Sequence, residues 1–173
     1  LRRALGLGIN RSALISAFFS GHALAAQFPV SPVSSLYPQE LETIYSYDAF
    51  ASAMAAAGYA TGTTTKTVTL LVNQENTFKV SAAQDLAEAL SAFDLKIQVS
   101  VLPWEEYTAA LAAGNFDLYF GEIKLTADWN LSSLLSSGGA LNYGGWADPQ
   151  TDTLLSQFAV SQDRAGAMKT LCT

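Results

Sequence analysis

At 173 residues the chain is long enough to bury roughly 70% of the surface its unfolded form exposes, and its length predicts one domain spanning 1–173. An apolar fraction of 50% against 14% charged residues excludes a disordered polymer, and a net charge of -6 without any basic run excludes a surface built for nucleic-acid phosphates or a polybasic membrane anchor. Cys172 is the only cysteine, so no intrachain disulfide forms and the redox compartment stays open.

Leu1, Ala4 and Leu5 make a short helical stripe, and Asn10 is placed to cap a second helix whose core face is Leu14, Ile15 and Phe18. Arg2-Arg3, the apolar run 13–19 and Ala23-Leu24-Ala25 imitate a secretory leader, but Asn10, Arg11 and Ser12 interrupt it. Positions 12–39 carry no residue charged at neutral pH, yet Ser16, Ser20, His22, Gln27, Pro29 and Pro32 break any spanning helix of about twenty residues. The stretch 21–38 is therefore expected as an extended loop. Because the chain opens inside a helical pattern, it is expected to be a piece of a larger exported protein. Asp48 is expected to cap a third helix, with Phe50, Met54 and Ala57 on one face and Gly58 ending it.

After a Thr-rich turn at 62–66, Val68, Leu70 and Val72 alternate as a strand that ends in Asn73-Gln74-Glu75-Asn76. Amides and a carboxylate at the carboxyl end of a strand suit a ligand cleft, and they are also ordinary turn formers; Asn73 is the candidate. A helix over 77–93 puts Ala82, Ala83, Leu86, Leu90 and Phe93 on one side. Ile97, Val99 and Val101 then alternate with Lys96, Gln98 and Ser100 until Pro103 ends the strand. Trp104, Tyr107 and Leu111 fall on one helical stripe, Gly114 stands where a left-handed residue closes the helix, and 116–120 is a short apolar run with a single charge. Strand, helix, strand, helix, strand predicts an α/β fold: a parallel sheet with right-handed crossovers, helices on both faces, and all carboxyl ends on one edge. Ligands of open sheets gather at that edge. It comprises Asn73, Pro103-Trp104 and Gly121-Glu122, with Asp128 and Trp129 just beyond. Farther on, 131–139 predicts a short helix and a loose turn. Asp148 caps and Pro149 opens a helix buried through Leu154, Leu155 and Phe158, and a last helix from about 161 ends with Met168 and Leu171.

Catalysis has no support in these residues. His22 is the only histidine and has no Gly-x-Ser-x-Gly elbow to accompany it, which argues against a hydrolytic triad. One His and one Cys far apart give no zinc-ligand spacing. Glu105 and Glu106 are adjacent, so on a helix they diverge by about 100° and do not act on one atom. Gly6-Leu7-Gly8 lacks the third glycine and the preceding strand of a dinucleotide loop. No catalytic residue, metal or cofactor is predicted.

Several motifs in order resemble one family. Leu1 to Ile15 (LRRALGLGINRSALI), Tyr47-Asp48 through Ala57-Gly58-Tyr59, Trp104-Glu105-Glu106-Tyr107 with Ala113-Gly114-Asn115-Phe116-Asp117-Leu118, Ala127-Asp128-Trp129-Asn130, and Asn142-Tyr143-Gly144-Gly145-Trp146-Ala147-Asp148-Pro149 are similar to the C-terminal lobe of the dipeptide- and oligopeptide-binding proteins of bacterial ABC importers (extracellular solute-binding proteins, family 5). The resemblance implies a type II periplasmic-binding-protein-like lobe that binds a peptide or other small solute by hinge closure with a partner lobe. It further implies delivery to an ABC permease, an extracytoplasmic location (periplasm or cell-surface lipoprotein), and membrane contact only through a lipid anchor outside this piece. It places Asp128 where the family grips a peptide's α-ammonium; a helix N-cap for the segment from Leu131 is the other reading. Trp104, Trp129, Tyr119 and Tyr143 are pocket walls on the one view and core on the other. Gly121-Glu122 stands where the family usually has Gly-Trp, and Trp146 where it has Tyr before the Asn/Asp-Pro pair. A solute-sensing domain of a transcription regulator is the alternative function, since some regulators fuse the same lobe pair to a DNA-binding segment.

Overall fold

The computed structural model describes residues 1–173, which form two compact units, one of Leu1–Ala23 with Ile44–Gly121 and one of Leu24–Thr43 with Glu122–Thr173. The first holds helices α1 (Arg2–Gly8), α2 (Arg11–Phe18), α3 (Tyr47–Ala56), α4 (Thr77–Leu90) and α5 (Trp104–Ala113) around strands β1 (Lys66–Asn73), β2 (Leu95–Leu102) and β3 (Leu118–Phe120). The second holds a 3-10 turn at Gln39–Leu41 and helices α6 (Ser132–Leu135), α7 (Pro149–Val160) and α8 (Arg164–Leu171).

The three strands are parallel, in the order β2-β1-β3. β1 is central, so Leu70, Leu71, Val72 and Asn73 are buried in succession, whereas the edge strand β2 keeps Lys96 and Gln98 in solvent. Val68, Leu70, Val72 and Ile97 face one core with Phe50, Met54, Ala83, Ala87 and Leu90. Leu71 points to the other face and is buried there too. From β1 the chain moves one way to β2, then back across β1 to β3, and crossovers in opposite directions that keep the usual right hand fall on opposite faces. The predicted α/β arrangement with helices on both faces is thus realised. Asp117, the single charge of the third strand segment, accepts the Thr69 N–H at 2.8 Å and continues the β1–β3 ladder with a side chain.

Several local expectations are corrected. Ser46, not Asp48, caps α3, its hydroxyl accepting the Ala49 N–H at 3.2 Å; Asp48 sits in the first turn, where its charge suits the helix dipole. α4 stops at Leu90 rather than Phe93, because the chain must turn at once to bury Asp94; Phe93 is left-handed (φ 60°), 40% exposed and stacked on Tyr47. Leu14, Ile15 and Phe18 of α2 are half-buried rather than core, as Phe18 and Phe19 pack edge-on against Phe78 instead of entering the sheet's core. The last helix begins at Arg164 and is capped by Asp163. Asn10, Asp148 and the left-handed Gly114 hold the positions expected of them.

Asp94 explains the Thr-rich turn. It is only 8% exposed, and its carboxylate accepts from the Thr61 N–H (2.6 Å), the Thr61 hydroxyl (2.8 Å) and the Gly62 N–H (3.0 Å). The Thr61 hydroxyl leads these bonds in holding its carboxyl below the usual carboxylate range. In the second unit, Val30, Tyr37, Leu131, Leu155, Phe158 and Met168 form a separate core.

Candidate functional site

The crevice where successive crossovers leave a sheet on opposite faces lies here between the carboxyl ends of β1 and β2. The polar turn after β1 fills it with its own contacts. Asn73 is buried and donates its amide to Glu75 at 3.1 Å; the Gln74 N–H extends the ladder to the Leu102 carbonyl at 2.8 Å; Asn76 caps α4 through the Lys79 N–H at 3.1 Å. Glu75 accepts the Trp104 N–H at 2.7 Å and so caps α5, which has no cap from its own Pro103. That backbone bond is the chief reason the Glu75 carboxyl lies below the usual range. Asn73 and Trp104 are brought together through Glu75.

Around this edge stand aromatic rings. Trp104 is 56% exposed with its ring 5.9 Å from that of buried Tyr107, whose hydroxyl donates to the Phe120 carbonyl at 3.2 Å. Tyr119 is partly exposed, and Gly121 passes against its ring: a Cβ there would lie 3.0 Å from Tyr119 and 3.4 Å from the Tyr107 oxygen.

Asp128 and Trp129 belong to the second unit, with Glu122 and Tyr143. Asp128 is exposed at the tip of a tight turn in which the Trp129 N–H donates to the Thr126 carbonyl at 2.9 Å. Trp129 is left-handed (φ 53°) and packs its half-buried side chain against the Val30–Leu131–Phe158 core. It anchors the turn. The Thr126 hydroxyl first, then the Asn130 N–H, with the Arg164 charge nearby, hold the Asp128 carboxyl below the usual range, so it is ionised at neutral pH. The helix-cap reading of Asp128 is overturned: Asn130, not Asp128, accepts the Ser132 N–H at 2.9 Å at the start of α6. Glu122 is exposed and Tyr143 half-buried.

Comparison with known proteins decides the family. Residues 1–143 match the model described as bacterial extracellular solute-binding proteins, family 5 Middle. The chain belongs to this family. A glutathione-binding protein, GsiB, of Pectobacterium atrosepticum is 28% identical over 95% of the chain and 34% of its own length. The oligopeptide-binding protein AppA of Bacillus subtilis, solved with a nonapeptide, superposes with a TM-score of 0.81 at 22% identity over 97% of the chain and 37% of its own. A mannohexaose-bound periplasmic oligopeptide-binding protein of Thermotoga maritima superposes with a TM-score of 0.83 at 19% identity over 98% of the chain and 38% of its own. The chain thus spans about a third of the length of these relatives.

In this family 5 chain, the Asn142–Pro149 motif is a clasp. The Asn142 amide donates to the carbonyls of Ser136 (2.9 Å) and Trp146 (2.6 Å) and accepts the Trp146 N–H (3.0 Å). Trp146 directs its indole N–H to the Thr151 hydroxyl at 3.4 Å, and Asp148 accepts the Thr151 N–H and hydroxyl at 2.8 and 2.7 Å. Asp152 accepts the Ser137 N–H and hydroxyl at 2.8 and 2.6 Å. Gly139 permits the return of the chain, since a Cβ there would lie 2.5 Å from the Ser133 carbonyl oxygen. Sequence reasoning missed Glu75 as a cap, Thr126 and Asn130 as holders of Asp128, and Arg164, whose guanidinium donates to the Asp128 carbonyl. Thr126-x-Asp128-x-Asn130 carried a readable signal, because short polar side chains two apart bond their own turn. Arg164 carried none.

Proposed function

We propose that this chain is a ligand-binding lobe, comprising both compact units, of a two-lobed extracytoplasmic receptor that delivers peptides or similar small solutes to an ABC permease. The observation that carries the reading is Asp128: an exposed carboxylate, kept ionised and aimed by Thr126 and Asn130 on a turn anchored in the core through Trp129. A peptide is a cation at its amino end, and charge-assisted hydrogen bonds in a closed cleft both orient and hold such a group. Within the second unit Asp128 takes the α-ammonium, with Glu122 and Tyr143 as further ligand contacts of that unit. In the first unit, taken by itself, Asn73, Trp104 and Gly121 form the carboxyl edge of the sheet, Asn73 and Trp104 joined through Glu75. Two relatives are consistent with this class, one a glutathione-binding protein and one solved with a nonapeptide. Function follows from closure: ligand between the lobes stabilises the closed form by contacts absent from the open one, and the permease recognises that form. The receptor sits in the periplasm or on the cell surface as a lipoprotein, tethered by a lipid outside this chain. No observation favours the regulator alternative. Calorimetry of the complete receptor with trialanine and with maltotriose tests the reading: micromolar binding of the peptide alone is expected, and binding of the sugar alone would overturn it.

A further inference from the structure

The peptide bond that joins Asp128 to Trp129 is held at both ends. Its N–H, on Trp129, donates to the Thr126 carbonyl at 2.9 Å, and its carbonyl, on Asp128, accepts from the Arg164 guanidinium, which lies 4.3 Å over the Phe158 ring. Orientation of this one plane sets ψ of Asp128 and φ of Trp129, and Trp129 is in the left-handed region at 53°. For a bulky side chain that conformation is strained and persists only where surrounding contacts over-determine it. The Trp129 side chain in the core is one such contact. Arg164, fixed by a buried ring that is 3% exposed, is the other.

We infer that Arg164 is a positioning residue for ligand recognition, clamping the Asp128–Trp129 peptide so that the Asp128 carboxylate is presented to the cationic group of a ligand. Its bond goes to the main-chain carbonyl, so the carboxylate is left to Thr126, Asn130 and the ligand instead of being consumed in an ion pair. A lysine in its place retains charge and a donor but not the planar guanidinium that lies over the Phe158 ring. The clamp spans α8, α7 and the 126–130 turn, so α7 and α8 serve the site through Phe158 and Arg164. This inference rests on the proposed role of Asp128.

The test is calorimetry of the complete receptor, unsubstituted and as Arg164→Gln, Arg164→Lys and Asp128→Asn, with trialanine and N-acetyl-trialanine. Arg164→Gln is expected to weaken trialanine about tenfold, the scale of one charge-assisted hydrogen bond, and the acetylated peptide less than about twofold, with Arg164→Lys recovering part of the loss. Equal losses for both peptides, or none for either, overturn the inference. Should Arg164→Gln fail to fold, Arg164→Lys carries the same comparison with a smaller selective loss, and an equal or absent loss overturns it. If Asp128→Asn discriminates between the peptides and the Arg164 variants do not, only the positioning role falls. If Asp128→Asn fails to discriminate, or the unsubstituted receptor ignores trialanine, the peptide reading and this inference fall together.

Discussion

Two glycines in the same short helix should respond in opposite senses to the same substitution. At Gly8 a Cβ would lie 2.6 Å from the Leu90 methyl and 2.8 Å from the Phe50 ring, and these neighbours are only 3% and 1% exposed, so neither has room to swing aside. Ordinary carbon contacts begin at about 3.5 Å, so α1 would have to move away from α3 and α4 by close to an ångström. Overpacking of this kind costs about 1–3 kcal/mol, whereas Gly→Ala in a helix contributes at most about 1 kcal/mol and less at its last residue. The clash wins, and Gly8→Ala should destabilise by about 1–2 kcal/mol. At Gly6 nothing lies within 4 Å of the built Cβ, so only the helical gain remains and Gly6→Ala should stabilise by about 0.5–1 kcal/mol. For a chain of this size each kcal/mol moves the melting temperature by about 2–4 °C, so urea or thermal melts resolve the pair. If both variants shift the same way, the placement of α1 against Phe50 and Leu90 is wrong.

Asn142→Ala removes two donors and an acceptor from the clasp and should cost about 1–3 kcal/mol by urea unfolding, with Asn142→Asp, which keeps the acceptor, as harmful or nearly so. Asp94 has a folded pKa below its unfolded one, so its stabilisation is complete above the unfolded value and fades as pH falls through the folded value. The urea midpoint of Asp94→Asn should therefore lie below that of the parent at neutral pH and converge on it in acid; a gap that stays constant with pH would contradict the clasp around Thr61 and Gly62. Glu75→Gln weakens the acceptor that caps α5, so the Trp104 amide should exchange with deuterium faster while amides in β1 are unchanged.

What could be read in advance was whatever the chain encodes over a few neighbouring positions. The alternation Val68, Leu70, Val72 and Ile97, Val99, Val101, separated by a helical stripe, was enough for parallel strands, and Asn10, Asp148 and Gly114 announced helix ends by residue type. Phe93 shows where this stops: its spacing continues the α4 face, but burial of Asp94 forces a turn that overrides the helical period. Bonds that shape the candidate sites join distant positions. Glu75 meets Trp104 across 29 residues, Asp94 meets Thr61 across 33 and Arg164 meets Asp128 across 36, and no local pattern marks such partners. Asp128 itself was legible by resemblance. Of its two readings the helix cap does not hold, because the Ser132 N–H goes to Asn130 and not to Asp128.

The most direct measurement is calorimetry of the complete receptor carrying Asp128→Asn, titrated with a peptide bearing a free amino terminus and with its acetylated counterpart. Recognition of a ligand cation by this carboxylate predicts a loss of at least about tenfold for the free peptide and little change for the acetylated one. Equal losses would show that Asp128 does not receive the amino terminus.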